Sequence, residues 1–211
     1  DRNVLVDILE GLFQIALGTV QDSTKIVGLA RDGSGFGWDQ HNHDVHEGCE
    51  RFFRPSYNTH LVADWLPALD GVVAKLETGA RVADIGCGYG ASTIIMAKAF
   101  PNSTFVGYDY HPESIEAARS RAEEAGVTHR VRFDVAPARP DDFDVLLVSA
   151  LADRSTGELL EKVDGLRAER QLLRRAADAG KRLVANCSAS VLLAEAGLLD
   201  GRRATTSWWL A

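Results

Sequence analysis

Apolar and polar positions along this chain follow two different periods, and the change falls near residue 80. Between residues 3 and 20, Val4, Leu5, Val6, Ile8, Leu9, Leu12, Phe13, Ile15 and Leu17 surround most of a helix, which needs burial on more than one side. Ser23 to Ala30 reads as a second, short helix. Arg31 to Trp38 is a glycine-rich loop carrying Phe36 and Trp38, suited either to a lid or to a plain surface connector. Asp39 to Glu50 is polar and leads into a helix. From Arg51 to Leu76 the apolar spacing is helical, with Pro55 predicted to break the run and Tyr57 to Leu66 to resume it. Pro67 opens another turn, and Leu69, Val72, Val73 and Leu76 form a further stripe that Gly79 ends.

Beyond Gly79 short β-type runs alternate with helical ones. The strands are Arg81–Ile85, Thr104–Asp109, Arg130–Val135, Phe143–Val148 and Lys181–Cys187. Between them lie helices from Ala91 to Ala99, from Pro112 to Ala125 and, as one long element, from Thr156 to Ala179. This alternation predicts an α/β class, a doubly wound parallel sheet with helices on its faces. The domain plan is a helical extension and lid over 1–79 followed by an α/β domain over 80–211.

The first strand runs into Asp84-Ile85-Gly86-Cys87-Gly88-Tyr89-Gly90, three glycines spaced two apart just before a helix. Glycines let a ligand approach the backbone, and free N–H groups at a helix start favour polar or anionic groups. The spacing is not the Gly-x-Gly-x-x-Gly of dinucleotide sites, which points away from a pyrophosphate. Asp109 ends the second strand about 20 residues further on, where a carboxylate can accept from both ribose hydroxyls. Asp134 ends the third strand and could accept from an exocyclic amine of adenine.

Composition narrows the functions. A chain of 211 residues with 45% hydrophobic and 25% charged residues has the make-up of a soluble globular protein, and it suffices for one sizeable α/β domain. A net charge of −7 leaves no basic surplus for phosphate backbones, so nucleic acid is not an expected partner. No uninterrupted apolar run approaches the roughly 20 residues of a membrane span, and no membrane partner is expected. Asp1-Arg2-Asn3 shows no signal-peptide features and opens without methionine, as a trimmed chain would. Three widely separated cysteines make no disulfide framework, so a reduced, cytoplasmic setting is expected. His41, His43 and His46 invite a metal reading, but only His43/His46 and His46/Glu50 share a helical face, and no metal site is expected. His43 or His46 could instead face a substrate.

Residues from about Gly35 to Ala138 resemble a class I S-adenosylmethionine-dependent methyltransferase, close to an actinobacterial branch with a helical N-terminal extension. The resemblance rests on Asp84 to Gly90, Gly107-Tyr108-Asp109-Tyr110 and Arg132-Phe133-Asp134-Val135-Ala136, with Gly35-Phe36-Gly37-Trp38 and Glu50-Arg51-Phe52-Phe53-Arg54-Pro55 in support. It implies that Gly86, Gly88 and Gly90 cradle the methionine and ribose parts of S-adenosylmethionine. Asp109 would hold the ribose hydroxyls and Asp134 would meet the adenine. Asp84, Cys87, Tyr110 and Val135 belong to the same cofactor-binding set, with Cys87 read as a buried filler between glycines.

From about Arg139 the chain is similar to another group, the PfpI-type branch of the glutamine-amidotransferase-like superfamily, in the version found before AraC-type DNA-binding domains. There the cysteine after the last strand sits at a strand-to-helix elbow, here Cys187, a candidate nucleophile at a helix start. Ala189 replaces a glycine common in that group, and no partner base is evident. The proline-rich turn 136–142 is then a suspected junction in a recombined chain, engineered or naturally fused. Joining strands one to three to strands four and five gives a Rossmann-like sheet of order 3-2-1-4-5. Three functions follow: a methyltransferase acting on an unknown small acceptor, a thiol sensor or enzyme using Cys187, or a scaffold without activity. The apolar first helix and Trp208-Trp209 suggest a self-association surface and hence a homodimer.

Overall fold

The computed structural model describes residues 2–33, 36–135, 143–148, 156–185, 188–202 and 204. Five parallel strands, β1 (Arg81–Ile85), β2 (Thr104–Tyr108), β3 (Val131–Asp134), β4 (Val145–Val148) and β5 (Arg182–Ala185), form one sheet in the order 3-2-1-4-5. β1 is central: Asp84 lies opposite Gly107 of β2 and Leu147 of β4. The strand order reverses between β2 and β4, which places a cleft above the C-terminal end of β1.

Side chains on β1 alternate between two cores, as the pleat requires. Val82 joins Met96 and Ala97 of α5 (Ala91–Ala99), Ile115 of α6 (Pro112–Glu124) and Leu76 of α4 (Val72–Thr78). Ala83 faces the other way, with Tyr108, Phe143, Leu146 and Ala176 of α8 (Arg167–Asp178). Leu159 and Val163 of α7 (Thr156–Gly165) pack with Leu173 and with Leu192 and Leu193 of α9 (Ala189–Glu195). The helices therefore cover both faces of the sheet, the doubly wound Rossmann-like architecture expected.

The extension comprises α1 (Arg2–Gln21), α2 (Ser23–Asp32), a single 3₁₀ turn at Trp38–Gln40, and α3 (His43–Ser56). α1 and α3 pack backbone to backbone because three glycines face the contact. A Cβ on Gly11 would lie 2.7 Å from the Phe52 nitrogen, and one on Gly48 would lie 2.8 Å from the Ile15 nitrogen. Arg51 of α3 pairs with both Asp7 and Glu10 of α1.

Several expectations are corrected. Pro55 does not break the chain: α3 runs through it and continues as a π-helical stretch, Tyr57–Trp65. Proline removes one N–H and crowds the preceding turn. The wider π register beyond it absorbs that disturbance, with the Leu66 nitrogen donating to the Leu61 carbonyl five residues back. The long helix over 156–179 is two helices broken at Leu166, whose ψ of 51° leaves the helical region. The Leu166 side chain then turns into the Leu159–Val163–Leu173 cluster. The apolar count missed α1, where Val4–Gln21 is an 18-residue window of mean hydropathy 1.4, long and apolar enough by composition to cross a membrane. Asp7 and Glu10 interrupt that window, so no unbroken run exists. The suspected junction at 136–142, Cys187 and Trp208-Trp209 lie outside the described residues.

Candidate cofactor-binding site

The turn after β1 is built by backbone geometry. Gly86, Gly88 and Gly90 have φ of 76°, 52° and 78°, the left-handed region that strains any residue with a side chain. The Gly86 and Cys87 nitrogens donate to the Tyr108 carbonyl at 2.7 and 3.0 Å, anchoring the turn to the end of β2. A Cβ on Gly90 would collide with Phe133, so that glycine serves packing. A Cβ on Gly88 would meet nothing within 4 Å, so this glycine faces open space. The Cys87 sulfur points inward, so that a Cβ on Gly107 would lie 2.8 Å from it. Burial, with the charges of Asp84 and Asp109 adding, pushes this thiol far above its usual range, which makes it an inert filler.

Asp84 closes the turn from beneath. Its Oδ2 accepts from Ser92 Oγ and Thr93 Oγ1, each at 2.6 Å, tying the end of β1 to the first turn of α5. Burial raises its pKa above the ordinary carboxylate value, the two hydroxyls oppose this, and the charge of Asp109 adds to it. Tyr57, from the π-helical stretch, feels the same charge after its own burial, and both raise its phenol pKa. These hydroxyls were not singled out in the sequence, because Ser and Thr in a first helical turn look like ordinary capping residues.

Asp109 clasps the turn from above. Its Oδ2 accepts from the Gly88 nitrogen and its Oδ1 from the His111 nitrogen, both at 2.9 Å. Each oxygen retains a lone pair, so the carboxylate can still accept from two hydroxyls. Tyr110 and Val135 follow the ends of β2 and β3 and are largely exposed apolar surfaces beside it. Asp134 accepts from Arg132 Nε at 2.7 Å, which engages one of its oxygens. Open space at Gly88, a carboxylate with spare acceptors and exposed flat side chains fit a nucleoside bearing a thioether or sulfonium arm.

The extension reaches the same edge. His46, buried on α3, hydrogen-bonds through Nε2 to the Trp38 carbonyl at 2.8 Å and packs against His111 with ring centroids 4.5 Å apart and the rings tilted by 54°. Trp38 packs on His41 and His46, and the Tyr110 hydroxyl meets the backbone of Asp39. The described part of the expected lid is thus held down beside Tyr110. His43 lies 3.4 Å from the Tyr89 hydroxyl. His111 also contacts Ser114 and Glu113. The contact of His111 with His46, 65 residues away, leaves no local signal in the sequence. Among the described residues, no group of three or more His, Cys, Asp and Glu side chains is arranged to hold a metal ion.

Burial is the main reason the His46 pKa lies below its ordinary 6.5, with His111 and His43 adding and the Trp38 carbonyl and Glu113 opposing. A lowered imidazole pKa means that the folded state prefers the neutral ring. The stability tied to it is complete above pH 6.5 and is lost as pH falls through the lowered folded value. Denaturation midpoints measured from pH 8 to 5 should therefore fall more steeply in the wild type than in His46→Phe. Parallel curves would remove His46 as the source.

A groove of about 750 Å³ lies beside α5 between Arg54, Ile95, Lys98 and Arg121, adjoining the glycine turn only at Ala91. The loop that follows β4, 149–155, lies outside the described residues.

Fold and turn together define a Rossmann-like methyltransferase domain. Residues 76–196, more than half of the chain, match the family model for a methyltransferase domain, and the chain belongs to that family. By the family match, S-adenosylmethionine is the cofactor. The ribosomal protein L11 methyltransferase of Histophilus somni (strain 2336) is 35% identical over 96 residues, covering 44% of this chain and 30% of the relative. The Haemophilus influenzae protein of the same name is 36% identical over 96 residues, with the same coverage. The chain thus spans less than a third of these relatives' length. An RNA methyltransferase from Salinibacter ruber, solved with S-adenosyl-L-homocysteine, shares 27% identity at a TM-score of 0.33, over 39% of this chain and 60% of that one. An O-methyltransferase from a trans-AT PKS multienzyme of Brevibacillus brevis shares 20% at 0.32, over 40% of this chain and 31% of that one.

Proposed function

We propose that this chain binds S-adenosylmethionine at the turn after β1 and transfers its methyl group to a small-molecule acceptor. The observation that carries the reading is the open side of Gly88, with its N–H clasped by Asp109. Gly86 and Gly88 give the backbone approach for the amino-acid arm, Gly90 lets the turn pack on Phe133, and the N–H groups at the start of α5 complement the arm's carboxylate. Asp109 accepts from the ribose hydroxyls. Tyr110 and Val135 flank the adenine, and Asp134 uses the oxygen that Arg132 leaves free. Asp84 acts through Ser92 and Thr93 as a positioning residue.

The bound cofactor supplies a methyl group already activated on a sulfonium sulfur. The protein's task is then to hold an acceptor atom in line with that carbon and to exclude water. The Trp38–Gln40 turn, pinned by His46 beside Tyr110, suits this wall of the site. The curated relatives are named for a ribosomal protein, and one solved neighbour for RNA. The net charge of −7 favours a small acceptor over nucleic acid for this chain.

Calorimetric titration with S-adenosylhomocysteine tests the binding step. A saturable heat is expected, and Asp109→Ala should weaken affinity about tenfold, the loss of one charge-assisted pair of hydrogen bonds. No heat at millimolar ligand from a folded protein would return the chain to a scaffold without activity. The thiol reading has a separate arm: Cys49, pushed up to about 11 by burial, supplies the slow iodoacetamide reference against which Cys187 is timed.

A further inference from the structure

α1 buries one face and leaves the other bare. Its inner face carries Gly11 and Gly18 against α3, and both of its acids turn to Arg51. Its outer face carries Leu5, Leu9, Leu12, Phe13, Leu17 and Val20, three or four residues apart, each between 42% and 68% exposed. From Gly11 to Gln21 the helix has no charged residue. Together with Val6, 45% exposed, these side chains form one contiguous apolar row along the helix, the kind of patch that marks an interaction surface rather than an ordinary monomer face.

We propose that this face is the interface of a homodimer, in which two copies of α1 pack antiparallel across a twofold axis. Such an interface is isologous, so one uncharged apolar row is its own complement. The row from Leu5 to Val20 has Leu12 and Phe13 at its middle, which places them at the axis. Each α1 stays bound to its own α3, so the assembly is a four-helix layer that braces the helix carrying His46.

A bilayer is the competing occupant, since Val4–Gln21 has the length and hydropathy of a span. Two features favour a second copy. α1 is fixed along the domain by backbone-close packing with α3 and by Arg51, rather than standing free to cross a membrane. A helix lying in a membrane surface is rich in Lys and Arg on its polar face. α1 has Arg2 alone against Asp7 and Glu10, in a chain of net charge −7.

Light scattering on the eluting protein tests the assembly. The expected mass is twice 22.9 kDa. Leu12→Glu combined with Phe13→Glu should give the single-chain mass with an unchanged circular dichroism spectrum. Leu12→Cys keeps the face apolar and should form an intermolecular disulfide on mild oxidation that the wild type does not form. A wild-type chain at the single-chain mass, a double-mass species that survives the paired glutamates, or no crosslink in Leu12→Cys each overturns the proposal. Monomeric wild type that floats with phosphatidylcholine or phosphatidylserine vesicles overturns it in favour of the membrane.

Discussion

Gly88→Ala is expected to leave the domain folded and to weaken S-adenosylhomocysteine binding about 100-fold, near 2.7 kcal/mol, whereas Gly90→Ala should cost the fold itself. Both glycines are left-handed, at φ of 52° and 78°, so each alanine brings backbone strain of about 1–2 kcal/mol. What the new methyl meets separates them. At Gly88 it meets nothing within 4 Å, and it enters the space assigned to the cofactor. At Gly90 it lies 2.6 Å from Phe133 Cζ and 3.0 Å from Ala118 Cβ. Phe133 is among the largest fully enclosed side chains and has nowhere to move, so overpacking adds a further ~1–3 kcal/mol. Urea denaturation and calorimetry on the two variants read the two effects separately. Undiminished binding by Gly88→Ala would show that the ligand does not approach this turn. Wild-type stability in Gly90→Ala would mean that Phe133 does not pack as described.

The turn and its two carboxylates were legible in the sequence because they are local. Arg81 to Gly90 holds strand, turn and helix start in one stretch, and Asp109 and Asp134 each end a short β-type run. The order of the strands followed from the same alternation once a family resemblance supplied the plan. What stayed hidden depends on contacts between distant residues. Pro55 breaks an isolated helix, but α3 is held along α1 by Gly48 and Arg51, and the chain changes helical register instead of stopping. At Leu166 the local stop signal was Gly165, the last residue of α7, which the apolar spacing on either side masked, and the core that Leu166 turns into completes the break. The His46–His111 ring contact joins the extension to the start of α6, and no pattern in either segment marks the other. α1 was read as needing burial around most of its girth, whereas the chain covers only its glycine-bearing side.

The second large effect is expected at Asp84, where Ala and Asn should behave in opposite ways. Asp84 is 2% exposed, and its Oδ2 is the shared acceptor for Ser92 and Thr93. Asp84→Ala leaves the buried Thr93 hydroxyl without an acceptor, at about 1–3 kcal/mol before any rearrangement, and takes the partner from the half-buried Ser92 hydroxyl. It also releases the start of α5 from β1, so the turn loses its geometry and cofactor affinity should fall with stability. Asp84→Asn keeps an acceptor oxygen and removes the buried charge. Burial holds the folded carboxyl pKa above its ordinary 3.8, so its favourable contribution is complete below pH 3.8 and is lost as pH rises through the folded value. Relative to the wild type, the Asn variant should therefore gain stability between pH 4 and neutral while retaining binding within a few-fold. An Asn variant that tracks the wild type at every pH would show that Asp84 carries no net burial cost in its charged form. An Ala variant as stable as the wild type would remove the Ser92–Thr93 clasp as the support of the turn. The turn would then rest on the Gly86 and Cys87 bonds to the Tyr108 carbonyl and on the Asp109–Gly88 hydrogen bond, and Asp109→Ala would have to carry a correspondingly larger loss.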